Sequence, residues 1–188
     1  MRFKFYLAAL AATTAFAAPA VAAPVTVQAT AEAHGLVLQP LTLTKNTDLD
    51  FGTVLASGVA GSVTINADSG NRTSSGGVTE VASNAGGRAT FVGAGTAGEQ
   101  VTLTLSPPTS NLLVSTTNSS DVILVTNFVL SNSNSNIATI PLSGAFTVGV
   151  GGTFAIAASQ PNGFYKADFS LTADYKYAVP RSIRPHTY

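Results

Sequence analysis

Apolar and polar residues alternate along much of this chain, with the two-residue period of strands that have one buried and one wet face. The first regular stretch is residues 25–33, with Val25, Val27, Ala29, Ala31 and Ala33 on one side and Thr26, Gln28, Thr30 and Glu32 on the other. The last is residues 165–177. There Tyr165, Ala167, Phe169, Leu171, Ala173, Tyr175 and Tyr177 share one face, while Lys166, Asp168, Ser170, Thr172, Asp174 and Lys176 share the other. Between these two lie apolar runs at 36–44 (interrupted by Pro40), 49–54, 61–66, 89–92 and 100–106, the last stopped by Pro107-Pro108. Residues 122–130 are apolar enough to predict burial on both faces. Residues 145–150 and 153–158 are expected to pair across a two-residue Gly151-Gly152 turn. Further turns are predicted at 68–71, 75–77 and 84–87, with a polar loop of Ser and Asn at 131–136.

No window beyond the first 22 residues has a helical period. Roughly eight to ten short strands with turn signals between them predict one all-β domain, an antiparallel sandwich or barrel. Residues 1–22 read as a signal peptide. Arg2 and Lys4 form its basic start, residues 5–17 its apolar segment, and Ala20-Val21-Ala22 its small-residue cleavage site. Thr13, Thr14 and Pro19 keep this run short of the roughly 20 apolar residues that a membrane anchor needs. The expected layout is a signal peptide at 1–22, a strand-like leader at 23–35, a β-domain at 36–177 and a tail at 178–188. Export is expected, with no membrane span once the signal is cleaved.

Composition sharpens this picture. There is no cysteine, so an exported domain of this sequence holds together by core and ladder alone. Only 10% of the chain is charged, against about 25% in ordinary domains. Removing Arg2 and Lys4 from the nine basic residues leaves seven against nine acidic ones, which gives no basic footprint for nucleic acid.

Candidate chemistry is sparse. The two histidines are His34 and His186, both in terminal segments where a preorganised Ser-His-acid site is not expected. Asp48 and Asp50 share a strand face as paired carboxylates do in glycosidases or calcium sites, yet Asp48 reads better as the end of a turn after Asn46 and Asp50 as water-facing. Asp68-Ser69-Gly70-Asn71 is composed of ordinary turn formers. Gly93, Gly95 and Gly98 match a dinucleotide-site spacing, but a strand follows where that site requires a helix. The aromatic face of the last strand could serve as a sugar platform, although interleaved Ala and Leu favour core. Neither an enzyme nor a cofactor or metal site is expected.

Leu41-Thr42-Leu43-Thr44, Leu49-Asp50-Phe51-Gly52-Thr53-Val54 and Gly61-Ser62-Val63-Thr64-Ile65 carry a resemblance. It continues in Arg72-Thr73, Gly76-Gly77-Val78, Ala89-Thr90-Phe91, the run from Val148 to Phe154, and Gly163-Phe164-Tyr165. Together these resemble a bacterial secreted family known as domain of unknown function 4402. In layout that family is similar to chaperone–usher pilins of the spore-coat-U type. The resemblance implies an immunoglobulin-like sandwich lacking one strand, completed by the leader of the next subunit, in a homopolymer served by a periplasmic chaperone and an outer-membrane usher. Pilins of that type often carry a disulfide and tend to end at the last strand, whereas this chain has no cysteine and runs on from Ala178 to Tyr188.

Two functional expectations follow. In the first, the chain is a filament subunit: Val25, Val27, Ala29, Ala31 and Ala33 form a donor strand. Tyr165, Ala167, Phe169, Leu171, Ala173 and Tyr175 then flank the acceptor groove. In the second, the chain is a self-contained secreted or surface β-sandwich, and residues 25–33 are simply its first strand.

Overall fold

The computed structural model describes residues 26–176 of the chain. The proposed signal peptide, Val25, Tyr177 and the 178–188 tail lie outside the described residues. The chain divides after Leu36 into two units. In the first, residues 26–36 have no regular secondary structure and every side chain is exposed, Val27 at 87%.

The second unit is all-β, as the alternation predicts. Its strands are β1 (Thr42–Thr47), β2 (Val54–Ile65), β3 (Arg72–Glu80), β4 (Ala89–Ala94), β5 (Gln100–Ser106), β6 (Leu112–Ser115), β7 (Val122–Leu130), β8 (Ile137–Thr139), β9 (Ala145–Ile156), β10 (Tyr165–Lys166) and β11 (Ser170–Tyr175). All pairings are antiparallel. One sheet runs β1-β4-β9-β7-β6-β10, with β2 also on β9 and β3 on β2; a second, three-stranded sheet runs β11-β5-β8. The two form a sandwich. Its core joins Phe91, Phe146, Val148 and Val150 of the larger sheet to Val101, Leu103 and Leu171 of the smaller. A second cluster, around Val63, Ile65, Val125 and Ile156, lies beneath β2 and β7.

β9 organises the larger sheet. Along one edge it pairs first with β4, from Ala145 opposite Ala94 to Val150 opposite Ala89, and then with β2, from Gly152 opposite Ile65 to Ile156 opposite Gly61. Along the other it pairs with β7 over residues 150–155. The expected Gly151-Gly152 hairpin is therefore corrected to one continuous strand. Glycine is required here for close approach: a Cβ on Gly151 would stand 2.3 Å from the Ile65 carbonyl oxygen and 2.7 Å from the Ala67 nitrogen. Ser75-Gly76-Gly77, expected as a turn, lies inside β3. A Cβ on Gly77 would strike the Val59 carbonyl at 2.2 Å, where β2 bulges between Ala56 and Gly61.

Two further expectations change. β7 keeps its predicted bounds but not burial on both faces: Ile123 and Val125 are buried, whereas Val122 and Leu124 face outward. The last stretch is not one strand, because residues 167–169 cross between sheets, leaving β10 on β6 and β11 on β5. Its alternation survives the break. Tyr165, Ala167, Phe169, Leu171, Ala173 and Tyr175 are buried or half-buried, and the intervening side chains are exposed.

Gly151 and Gly152 separate the steric requirement from the sequence pattern. Gly151→Ala is expected to cost about 1–3 kcal/mol by overpacking, read as a lowered urea midpoint. Gly152→Ala, whose new methyl would meet nothing closer than Val125 Cγ1 at 3.5 Å, is expected to be near neutral.

Candidate functional site: the open sheet edges

An antiparallel strand presents the N–H and C=O of successive residues to alternate sides, so an edge strand leaves every second residue unpaired. The Lys176 N–H bonds the Gln100 carbonyl (2.8 Å), which fixes the phase of β11: Asp174 and Thr172 face β5, while Leu171, Ala173 and Tyr175 turn their backbone groups outward. β1 borders the other sheet and pairs only with β4. The two strands run near one another, one on each layer, with no ladder between them. Leu41 and Leu43 on the β1 side, and Phe169, Ala173 and Tyr175 on the β11 side, pack half-buried against the main core. At this gap no strand joins the two sheets.

The structure brings the six predicted acceptor residues onto one inward face without making them one strand. Phe169 meets Phe91 edge-on at 6.1 Å and Phe128 at 5.6 Å, so it is core rather than an exposed platform. The Tyr165 hydroxyl donates to the Pro161 carbonyl (2.7 Å) and accepts from Gln160 Nε2 (3.1 Å). Tyr175 Oη donates to the Gln39 carbonyl (2.7 Å) and accepts from the Thr96 N–H (2.8 Å), closing one end of the gap. Of the predicted donor residues, Val27, Ala29, Ala31 and Ala33 are exposed and in no strand. Val25 lies outside the described residues.

The polar candidates hold backbone groups and one surface ion pair. Asp48 pairs with Lys45 Nζ at 2.6 Å, and Asp50 Oδ1 accepts the Gly52 N–H at 2.8 Å. Asp68 Oδ1 accepts the Asn132 N–H at 2.5 Å. Among the described residues no group of three or more His, Cys, Asp or Glu side chains gathers as metal ligands would. His34 lies 3.2 Å from Glu32, both exposed. The glycines at 93, 95 and 98 lead from β4 into β5.

Arg72 was legible only as part of a family motif, and its structural role has no sequence signal. Its side chain is 5% exposed. Nη1 donates to the carbonyls of Asn84 (2.9 Å) and Phe51 (3.3 Å), Nη2 to that of Val81 (3.1 Å), and Nε lies 3.3 Å from Glu80 Oε2 as an ion pair without hydrogen-bond alignment. One guanidinium thus fastens the 51–53 and 81–84 segments to β3, using the fork geometry that lysine lacks. Arg72→Met would strand those carbonyls and the Glu80 charge. It is expected to lower stability by about 3 kcal/mol, measured by urea denaturation, with Arg72→Lys recovering only part of the loss.

The model of the domain of unknown function 4402 family matches residues 41–175, from the residue before β1 to the end of β11. Comparison with curated proteins and with solved structures returned no match. The matched span takes in both sheets and both borders of the gap, and it covers most of the sequence. The chain belongs to the domain of unknown function 4402 family.

Proposed function

We propose that this chain is a structural subunit of a bacterial surface filament, pilin-like, assembled by donor-strand exchange. Residues 25–33 of one subunit enter the gap between β1 and β11 of the next and join its two sheets. The observation that carries this reading is the pair of bare edges at that gap, above side chains that remain only half-buried. The leader supplies what such a gap lacks: alternating small apolar residues, exposed and without a strand partner of their own.

Magnitudes are consistent with a ladder-driven junction. Val25 and Val27 contribute about 1.5 kcal/mol each on burial, and the three alanines less, for roughly 5 kcal/mol of side-chain burial. Loss of translational and rotational freedom offsets much of that. The surplus comes from backbone hydrogen bonds along β11 and β1 and from completing the burial of Leu43, Phe169, Ala173 and Tyr175. In this reading residues 1–22 direct export, and a periplasmic chaperone and an outer-membrane usher handle the subunit before it reaches the cell surface.

Ala29→Asp or Ala31→Asp places a carboxylate in the completed core, where an unpaired charge costs several kcal/mol. Filaments are expected to disappear from sheared surface material, by electron microscopy, while the secreted subunit persists at its usual level. Normal filaments from both variants would remove the leader from the mechanism. A wild-type monomer that refolds alone and ignores an added 25–33 peptide would instead indicate a self-contained β-sandwich.

A further inference from the structure

The sandwich has a second lateral gap, on the side away from β1 and β11. β8 is the outer strand of the small sheet, and residues 145–149 of β9 have no strand on the side opposite β4. Between them runs a groove of about 410 Å³, with Leu103, Phe146 and Val148 among its lining residues. Bare edges over an apolar floor are what an intruding strand requires.

Here, however, the edges are not bare. The Gly149 N–H donates to Ser131 Oγ at 2.9 Å. The Ile137 N–H donates to Ser135 Oγ at 3.2 Å, and the same hydroxyl donates to the Ile137 carbonyl at 3.0 Å. Ser143 Oγ donates to the Ala145 carbonyl at 3.4 Å. Strand phase makes these the outward groups. The Leu103 N–H bonds the Asn136 carbonyl and the Ile140 N–H bonds the Glu99 carbonyl, so Ile137 and Thr139 face the gap. On β9 the Gly149 contact likewise turns Ala145 and Thr147 toward it. Three hydroxyls from one segment, residues 131–143, therefore occupy backbone sites on both walls.

That segment is bent to do so. Asn132, Ser133 and Asn134 are all left-handed, at φ 60°, 57° and 58°, a conformation that costs about 1–2 kcal/mol for a residue with a Cβ, less for Asn. It is fastened at its start: the Asn132 N–H donates to Asp68 Oδ1 (2.5 Å), and Asn134 Oδ1 accepts the Leu130 N–H (3.0 Å). By contrast, no serine hydroxyl bonds the outward backbone groups of Leu171, Ala173 or Tyr175 on β11 among the described contacts.

We infer that residues 131–143 are an edge guard: their serine hydroxyls occupy the strand-pairing groups of β8 and β9 so that chain-to-chain strand addition is confined to the β1–β11 gap. The purpose assigned to the guard rests on the filament reading; its existence does not. A sandwich with two open gaps could take strands on both sides and branch. One with a single open gap grows in line.

The test uses the full secreted chain carrying Ala29→Asp, so that leader-driven assembly contributes nothing. Ser131→Ala, Ser135→Ala and Ser143→Ala are combined in it, and sedimentation velocity is followed over rising concentration. The triple alanine variant is expected to self-associate, and the matching Ser→Thr variant, which keeps the hydroxyls, to stay monomeric. A folded alanine variant that remains monomeric overturns the guard. In the wild-type protein, amide exchange supplies a readout that needs no mutation. Gly149 and Ile137 are expected to exchange about tenfold more slowly than Thr147 and Thr139, their uncapped neighbours on the same edges. Equal rates overturn the proposal. Loss of filaments on Ala29→Asp is judged separately, so failure of the filament reading and failure of the guard give different results.

Discussion

A sheet that stops leaves a row of backbone donors and acceptors facing sideways, and each must find water, a side chain or another strand. That requirement governs this molecule more than any single contact. β9 meets it by using one edge twice, for β4 and then for β2, and by giving the second half of its other edge to β7. Where strands run out, three different solutions appear. Serine hydroxyls meet several outward groups of β8 and β9, the Arg72 guanidinium gathers loop carbonyls, and at the β1–β11 border, under the filament proposal, a second chain would supply the partner. The filament proposal and the guard proposal are two consequences of the same accounting.

The scarcity of charge fits this scheme. With only 10% of residues charged, the chain spends several of them on holding backbone turns rather than on solvation. Asp50 and Asp68 accept backbone N–H groups, and Arg88 Nη1 reaches the Ala67 carbonyl at 2.8 Å and also that of Asp68. Threonine and serine cover the outer faces, and their hydroxyls bond across neighbouring strands, as Thr64 does with Thr153 at 3.0 Å. Near β1, Asp50 holds the Gly52 N–H and Asp48 pairs with Lys45.

Strand periodicity was the most legible property of the sequence. β5 runs from residue to residue as its alternation predicts, β7 keeps the bounds of its apolar run, and the inward face of the last stretch is the predicted one. Glycine pairs were misleading for a physical reason. A missing Cβ permits a tight turn and equally permits another backbone to approach, and only the neighbour decides which. At Gly151 the neighbour is the Ile65 carbonyl, brought there by a strand more than 80 residues earlier in the chain. Edges are illegible for a similar reason. Whether β11 is an inner or border strand depends on the order of the sheet, which no local pattern encodes. Serines 131, 135 and 143 look like loop polarity until the strands they cap are in place.

The Tyr175 hydroxyl has a mechanical meaning. It joins Gln39, just before β1, to the end of β11 and to Thr96 beyond β4, and so it reaches both layers. Tension entering through residue 39 would therefore be divided between the two sheets instead of peeling β1 from its border one bond at a time. In a fibre of the proposed kind, the bonds to this phenol would take load ahead of the β1 ladder.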